Sequence, residues 1–177
     1  MTTHWTSGRI RLALAAHLDW QQNRMFPEWP IDGGIADLVF VTRAGYVTEI
    51  EIKISIADWK ADRWKRKWDT ERPHISRFFY AVPDTLVDQI PDNIPSHAGI
   101  LRVCAGQYHD SVSEVRAAVR LLARKLTPEA QRKMFESAYY RYWRRELSRL
   151  QTEVFDRPKM RAATDRERMN VVGRFDG

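Results

Sequence analysis

Cysteine is nearly missing from this chain: Cys104 is the single one among 177 residues. One thiol excludes an internal disulfide framework and fits a reducing compartment. With Leu101 and Val103 beside it, it reads as an ordinary core thiol. Long apolar runs are missing too. Nothing approaches the roughly 18 consecutive apolar residues of a membrane-spanning helix. The opening residues, M-T-T-H-W-T-S-G-R-I, lack the charged and apolar regions of a secretion signal. The expectation is a cytoplasmic protein with no membrane partner. The five histidines are scattered, with no Cys/His spacing of the zinc type, and no internal repeat is evident.

What is present suits a globular chain. Hydrophobic residues make up 44% and charged residues 29%, a balance typical of soluble domains. The length is enough for one domain with a real core. Lysine and arginine outnumber the acids, leaving a net charge of +6 and a pI near 9.7. That excess favours a polyanionic partner, with nucleic acid ahead of a membrane surface.

The stretch from Ile35 to Ile54 organises the rest. Two β-prone runs, Ile35–Thr42 and Tyr46–Ile54, are joined by Arg43-Ala44-Gly45, which predicts a β-hairpin. In E-I-E-I-K-I, side chains alternate, so Glu49, Glu51 and Lys53 share one face and Ile50, Ile52 and Ile54 the other. An amphipathic strand with one wet face would read the same way. Asp37 points further. It is a lone acid among Ile35, Leu38, Val39, Phe40 and Val41, where an unpaired charge is expensive. A hairpin can bring it beside Glu51 and Lys53. Two carboxylates and an amine can hold a divalent cation and act on a phosphodiester.

Around this hairpin the chain punctuates clearly. Ser7 to about Gln22 reads as a helix, with Ile10, Leu14 and Leu18 at four-residue steps and His17 bordering the stripe. Residues 25–34, with Pro27, Pro30, Gly33 and Gly34, read as a loop carrying Glu28 and Asp32. Ser55-Ile-Ala-Asp58 has the form of a capping box for a helix to about Asp69. Its apolar stripe is Ala57, Ala61, Trp64 and Trp68, with Trp59 off the stripe. Trp59 either packs on another element or offers a ring to a nucleobase. Lys60, Arg63, Lys65 and Arg66 lie on the same helix, within reach of a phosphate backbone. Strands are expected at Ile75–Val82 and Ala98–Val103, with a short helix at Thr85–Ile90 between them. Ser111-Val-Ser-Glu114 reads as a second capping box opening a helix to about Lys125. Thr127-Pro128 opens another to about Val154. Its dense aromatics suggest docking or a homodimer through the C-terminal helices. From Asp156 a mobile polar tail is expected.

The order of elements resembles the PD-(D/E)XK nuclease superfamily, and within it the MmcB-like DNA repair family. The residues that carry the likeness are E-I-E-I-K-I-S-I-A-D-W-K-A-D-R-W-K-R-K-W, followed by R-F-F-Y-A-V-P, over about Ile35 to Val103. The resemblance implies an α/β restriction-endonuclease-like core, with a central mixed β-sheet of about four strands flanked by helices. Residues 1–110 would form that core, residues 111–155 a helical C-terminal extension, and residues 156–177 the tail. By position, Asp37 matches the first-strand acid, Glu51 the D/E and Lys53 the lysine. Ala36 stands where the name's proline would be, and the usual acid of the first helix has no clean counterpart; His17, Asp19 and Glu28 are candidates. Asp37, Glu51 and the Ile52 carbonyl would hold Mg²⁺ or Mn²⁺. The metal would activate water and polarise the scissile phosphate, while Lys53 orients the nucleophile or stabilises developing charge. Glu49, on the same face, ranks below these three.

The reading reached is a metal-dependent DNA endonuclease of a repair, recombination or restriction-like kind. Two alternatives stand beside it. One is a nuclease-fold DNA-binding or recruiting subunit without turnover. The other is an interaction protein that works through its aromatic C-terminal helix.

Overall fold

The computed structural model describes residues 4–61 and 71–153. The chain divides into two compact units, Met1–Gln131 and Arg132–Gly177. The first unit is a mixed α/β fold. In chain order it runs α1 (Ser7–His17), β1 (Arg24–Ile31), β2 (Gly34–Val41), β3 (Val47–Ile52), α2 (from Ile56, described to Ala61), β4 (Ile75–Pro83), a 3₁₀ turn (Asp84–Gln89), β5 (Gly99–Cys104) and β6 (Ser111–Arg116). Helix α3 (Pro128–Gln151) begins in this unit and carries into the second. Among the described residues no helix is long and apolar enough to cross a membrane.

The six strands form one sheet in sequence order, β1 to β6. β3, β4 and β5 run parallel, and the outer pairings are antiparallel. The expected hairpin is β2–β3. Its turn closes with Gly45 N–H donating to Thr42 O at 2.9 Å, and Gly45 takes φ 86°. Alternation then sorts the two faces. On one, Leu38, Ile50, Ile52, Phe79, Ala81, Leu101 and Val103 pack against Ile10, Ala13 and Leu14 of α1. The other face carries Glu49, Glu51, Phe78 and Tyr80, and Trp59 of α2 stacks on Tyr80 with ring centroids 4.7 Å apart. A sheet covered on both sides has no wet face in the middle, which decides how the E-I-E-I-K-I run must be understood.

Four expectations are corrected. The sheet has six strands, not four. The Pro-rich stretch read as a loop is β1, which among the described residues is an edge strand paired with β2 alone. Pro27 and Pro30 are compatible with it because an outer strand leaves one set of N–H groups unused. The helix expected from Ser111 is β6, and residues 111–127 hold no helix. The spacing of Val112, Val115, Val119 and Leu122 is helical, but the open edge of β5 needs a partner and tertiary pairing overrides it. Beyond β6 the chain becomes an extended strap. Val119, Leu121, Arg124 and Leu126 N–H groups donate to His97, Ser76, Pro73 and Gly45 carbonyls at 2.9–3.0 Å. Finally, α1 is shorter than expected, ending at His17, and its N-cap is Thr6, whose Oγ1 accepts from Arg9 N–H at 3.1 Å. The expected stripe residues Trp64 and Trp68, most of the basic run and the tail 156–177 lie outside the described residues, while Ala57 is exposed.

Long-range polar contacts lace the first unit. Arg9 of α1 grips Asp110, just before β6, with Nε and Nη2 each 2.6 Å from a carboxylate oxygen. Arg24 of β1 donates to Gln131 at the start of α3, and Gln131 Nε2 donates to Leu126 O at 3.1 Å. In the second unit α3 is an amphiphile of another kind. It exposes Phe135, Tyr139, Tyr140, Tyr142, Trp143 and Leu147, with Arg149 bridging Glu146 and Glu153.

Two outcomes follow from these contacts. An ideal Cβ on Gly45 would lie 2.6 Å from Leu126 O, on a backbone of positive φ. Gly45→Ala should therefore lower stability by about 1–3 kcal/mol in a urea melt. The Arg9 guanidinium holds the Asp110 carboxyl below its ordinary 3.8. A depressed folded-state pKa means stabilisation present above that value and lost as pH falls through the folded one. Asp110→Asn should melt below wild type at pH 5–7, and the gap should narrow as the pH falls below 3.8.

Candidate active site at the carboxyl end of β3

Pairing of Leu38 with Ile50 and Val39 with Glu49 puts Asp37 across from Glu51 on the same face. Opposed residues of antiparallel strands start from Cβ atoms about 4.5–5.5 Å apart. At this point β2 and β3 begin to part, and a side chain replaces the ladder: Asp37 Oδ2 accepts from Ile52 N–H at 2.8 Å. The next peptide is oriented from the other side. Lys53 N–H donates to Ala81 O of β4 at 3.0 Å. Because a trans peptide sends its N–H and C=O in opposite directions, the Ile52 carbonyl leaves towards β2 and Asp37. The carboxylates of Asp37 and Glu51 and the carbonyl of Ile52 thus share one corner of the sheet, at the carboxyl end of a parallel strand. That is where open α/β sheets place their ligands.

Burial gives this corner its electrostatic character. Glu51 is 2% exposed and Lys53 3%, far from the solvated strand face that the sequence also allowed. Lys53 Nζ lies 3.8 Å from Asp58 Oδ1. Asp58 in turn closes the N-terminus of α2. Its N–H donates to Ser55 Oγ at 3.1 Å, and its Oδ2 accepts from Ile54 N–H at 3.3 Å. The capping box read from the sequence therefore does two things at once. It starts the helix, and it places a carboxylate beside the buried ammonium. Asp58 was not singled out as a site residue, although S-x-x-D two positions after the lysine was the signal for it.

Glu49 belongs to a second charged group. Its Oε2 lies 2.5 Å from Arg72 Nη1, and Arg72 Nε lies 4.0 Å from Asp32 Oδ2. Asp32, at φ 47° in the β1–β2 turn, also accepts from His74 N–H at 3.4 Å and has His74 Nδ1 2.9 Å from its Oδ1. Arg72 was not among the candidate site residues. Nothing local marks it as the counterion of a strand glutamate about twenty positions away in sequence.

The remaining candidates are spread apart. His17 is exposed at the end of α1, on the far side of the sheet from Glu51. Glu28, at φ 50°, lies 3.6 Å from Arg11 of α1. Trp59 is 7% exposed and stacked on Tyr80, so its ring is not available to a nucleobase: packing is the alternative that holds. Lys60 is exposed on the outer side of α2, and Arg63, Lys65 and Arg66 lie outside the described residues. Among the described residues no three His, Cys, Asp or Glu side chains gather as a metal cluster.

One outcome follows from the second charged group. Arg72→Ala strips a buried counterion and should cost about 3–5 kcal/mol in a denaturant melt. Arg72→Lys should recover only part of that, because an ammonium is a point charge without the guanidinium's fork.

A solved structure of a protein of unknown function from Silicibacter pomeroyi is similar to this chain. It is 22% identical, with a TM-score of 0.54, over 88% of this chain and 96% of the other. At that identity the likeness concerns the fold. Comparison with curated proteins finds no match. The family model described as DNA repair protein MmcB-like matches residues 6–153, which take in every described strand and helix. The chain belongs to the MmcB-like family.

Proposed function

We propose that this protein is a metal-dependent DNA endonuclease with a PD-(D/E)XK type of core, in which Asp37, Glu51 and Lys53 do the work. The observation that carries the reading is the corner just described: Asp37 opposite Glu51, with Lys53 buried two residues further along the same strand. The family's description as DNA repair and the net charge of +6 both favour DNA as the partner.

The donor set fits a hard cation. Two carboxylates and the Ile52 carbonyl are oxygen ligands of the kind Mg²⁺ or Mn²⁺ takes, with water completing the shell. Such an ion supplies Lewis acidity towards a phosphodiester and a more acidic water. The chain's own groups do the rest. Asp37 and Glu51 concentrate negative charge where the cation would sit. Lys53, with Asp58 beside it, is placed to orient the nucleophile or to meet charge developing on the phosphate. Lys60, exposed one turn into α2, is placed to hold backbone phosphate and fix register without reading sequence.

A second reading, a nuclease-fold DNA-binding subunit without turnover, is favoured by one observation. The Asp37 carboxylate already has a structural duty in accepting from Ile52 N–H. The two readings separate in one assay: labelled single-stranded, duplex and branched DNA, with Mg²⁺, Mn²⁺ or EDTA. Wild type is expected to cut only with metal. Asp37→Ala and Lys53→Ala should each reduce cutting by about 10²–10³-fold. In a calorimetric titration Lys53→Ala should still bind Mn²⁺ and Asp37→Ala should not. Salt-sensitive DNA binding with no cutting by wild type would establish the second reading instead.

A further inference from the structure

The strap after β6 brings two cations together from a stretch of sequence that holds no acid. Between Glu114 and Glu129 the sequence carries Arg116, Arg120, Arg124 and Lys125 and not one carboxylate. Arg116 is consumed by structure, donating to Ala98 O at 2.8 Å and Pro95 O at 3.2 Å. Arg120 and Lys125 turn instead to the Tyr46 side chain. Both are exposed and both converge on the Tyr46 ring, the guanidinium 4.6 Å and the ammonium 4.7 Å from its centroid. A hydrogen bond with Lys125, helped by the charge of Lys125 and by Arg120, holds the Tyr46 hydroxyl below its ordinary pKa.

Their placement is set by the backbone on either side of them. The N–H groups of Val119 and Leu121 flank Arg120, and those of Arg124 and Leu126 flank Lys125; all four are bonded across to the sheet unit. Gly45, next to Tyr46, leaves out the Cβ that would meet Leu126 O, so the strap can lie against the turn. A ring face attracts a cation, but two cations on one ring repel each other. Two like charges held together by a pinned backbone, open to solvent, suit an anion that bridges them.

We propose that Arg120, Lys125 and Tyr46 form a phosphate clamp for the backbone of duplex DNA. An extended polyanion is favoured over a small anion because the charges are exposed and the N–H groups beside them are already bonded to carbonyls. The spacing also suits DNA. Tyr46 lies just before β3, five residues ahead of Glu51, at most about 17 Å at roughly 3.3 Å per residue. That is well inside the ~34 Å of one helical turn. The clamp thus sits at the opposite end of β3 from Glu51 and Lys53. It extends the reading of this protein as a DNA-acting one, but does not depend on cleavage.

The test is anisotropy of a labelled duplex with the full chain, in EDTA, over a salt series. The double variant Arg120→Gln/Lys125→Gln leaves the backbone contacts in place, and its fold is checked by thermal melting. Its affinity should fall about tenfold or more, and its plot of log K against log salt should be shallower by roughly 2, for two lost phosphate contacts. The charge-conserving pair Arg120→Lys/Lys125→Arg should bind as wild type does. Wild-type affinity and slope in the Gln pair would overturn the clamp. So would DNA binding that is unchanged while binding to inorganic phosphate or to anionic phospholipid vesicles is lost. Loss of DNA binding in the Gln pair without any cutting by wild type would leave the clamp standing and remove the nuclease.

Discussion

Glu49, Glu51 and Lys53 stand in a row on one face of a central strand, each 3% exposed or less. Taking a carboxylate or an ammonium out of water costs several kcal/mol unless something replaces its hydration. Much around β3 follows from that constraint. Arg72 comes in from the approach to β4 to meet Glu49, and brings Asp32 and His74 with it. Asp58 comes in from the start of α2 to meet Lys53. Trp59 and Tyr80 then close the same face with apolar surface, which lowers the local dielectric and makes each pairing count for more. The charged row fixes where α2 begins, where the β1–β2 turn lies and how the chain enters β4.

Much of this was legible in the sequence, and the parts that were not share a cause. The hairpin, β4, β5, α3 and the D…E-x-K set could be read because their signals are local: alternation, a Gly turn, a Thr-Pro cap. The burial of Glu49 and Glu51 could not, since alternation says which residues share a face and not what covers it. Arg72 was invisible for the same reason, its partner being remote in sequence. At β1 and β6 the local signal pointed the wrong way. Two prolines read as loop until the strand is known to be at an edge. Ser111-Val-Ser-Glu114 read as a helix start until β5 is seen to need a neighbour. His17 and Glu28 were drawn towards the site by type and proximity in sequence, whereas α1 lies across the other face of the sheet.

The two ends of β3 differ in kind. At the carboxyl end Glu51 and Lys53 are buried beside half-buried Asp37 and Asp58, around a corner lined with oxygen atoms. At the amino end Arg120 and Lys125 stand in solvent over a tyrosine. One strand therefore separates a region suited to a cation from a region suited to an anion, and the sheet's rigidity keeps the distance between them fixed.

The prolines of β1 have an effect beyond the strand itself. An exposed sheet edge is a template on which another chain can add a strand, and proline there removes the donors such an addition needs. With Pro27 and Pro30 in eight residues of edge, and Glu28 kinked out of the extended conformation between them, that margin is closed to growth. The sheet ends at β1 by construction, which guards a basic, aromatic-rich chain against stacking into aggregates through its own backbone.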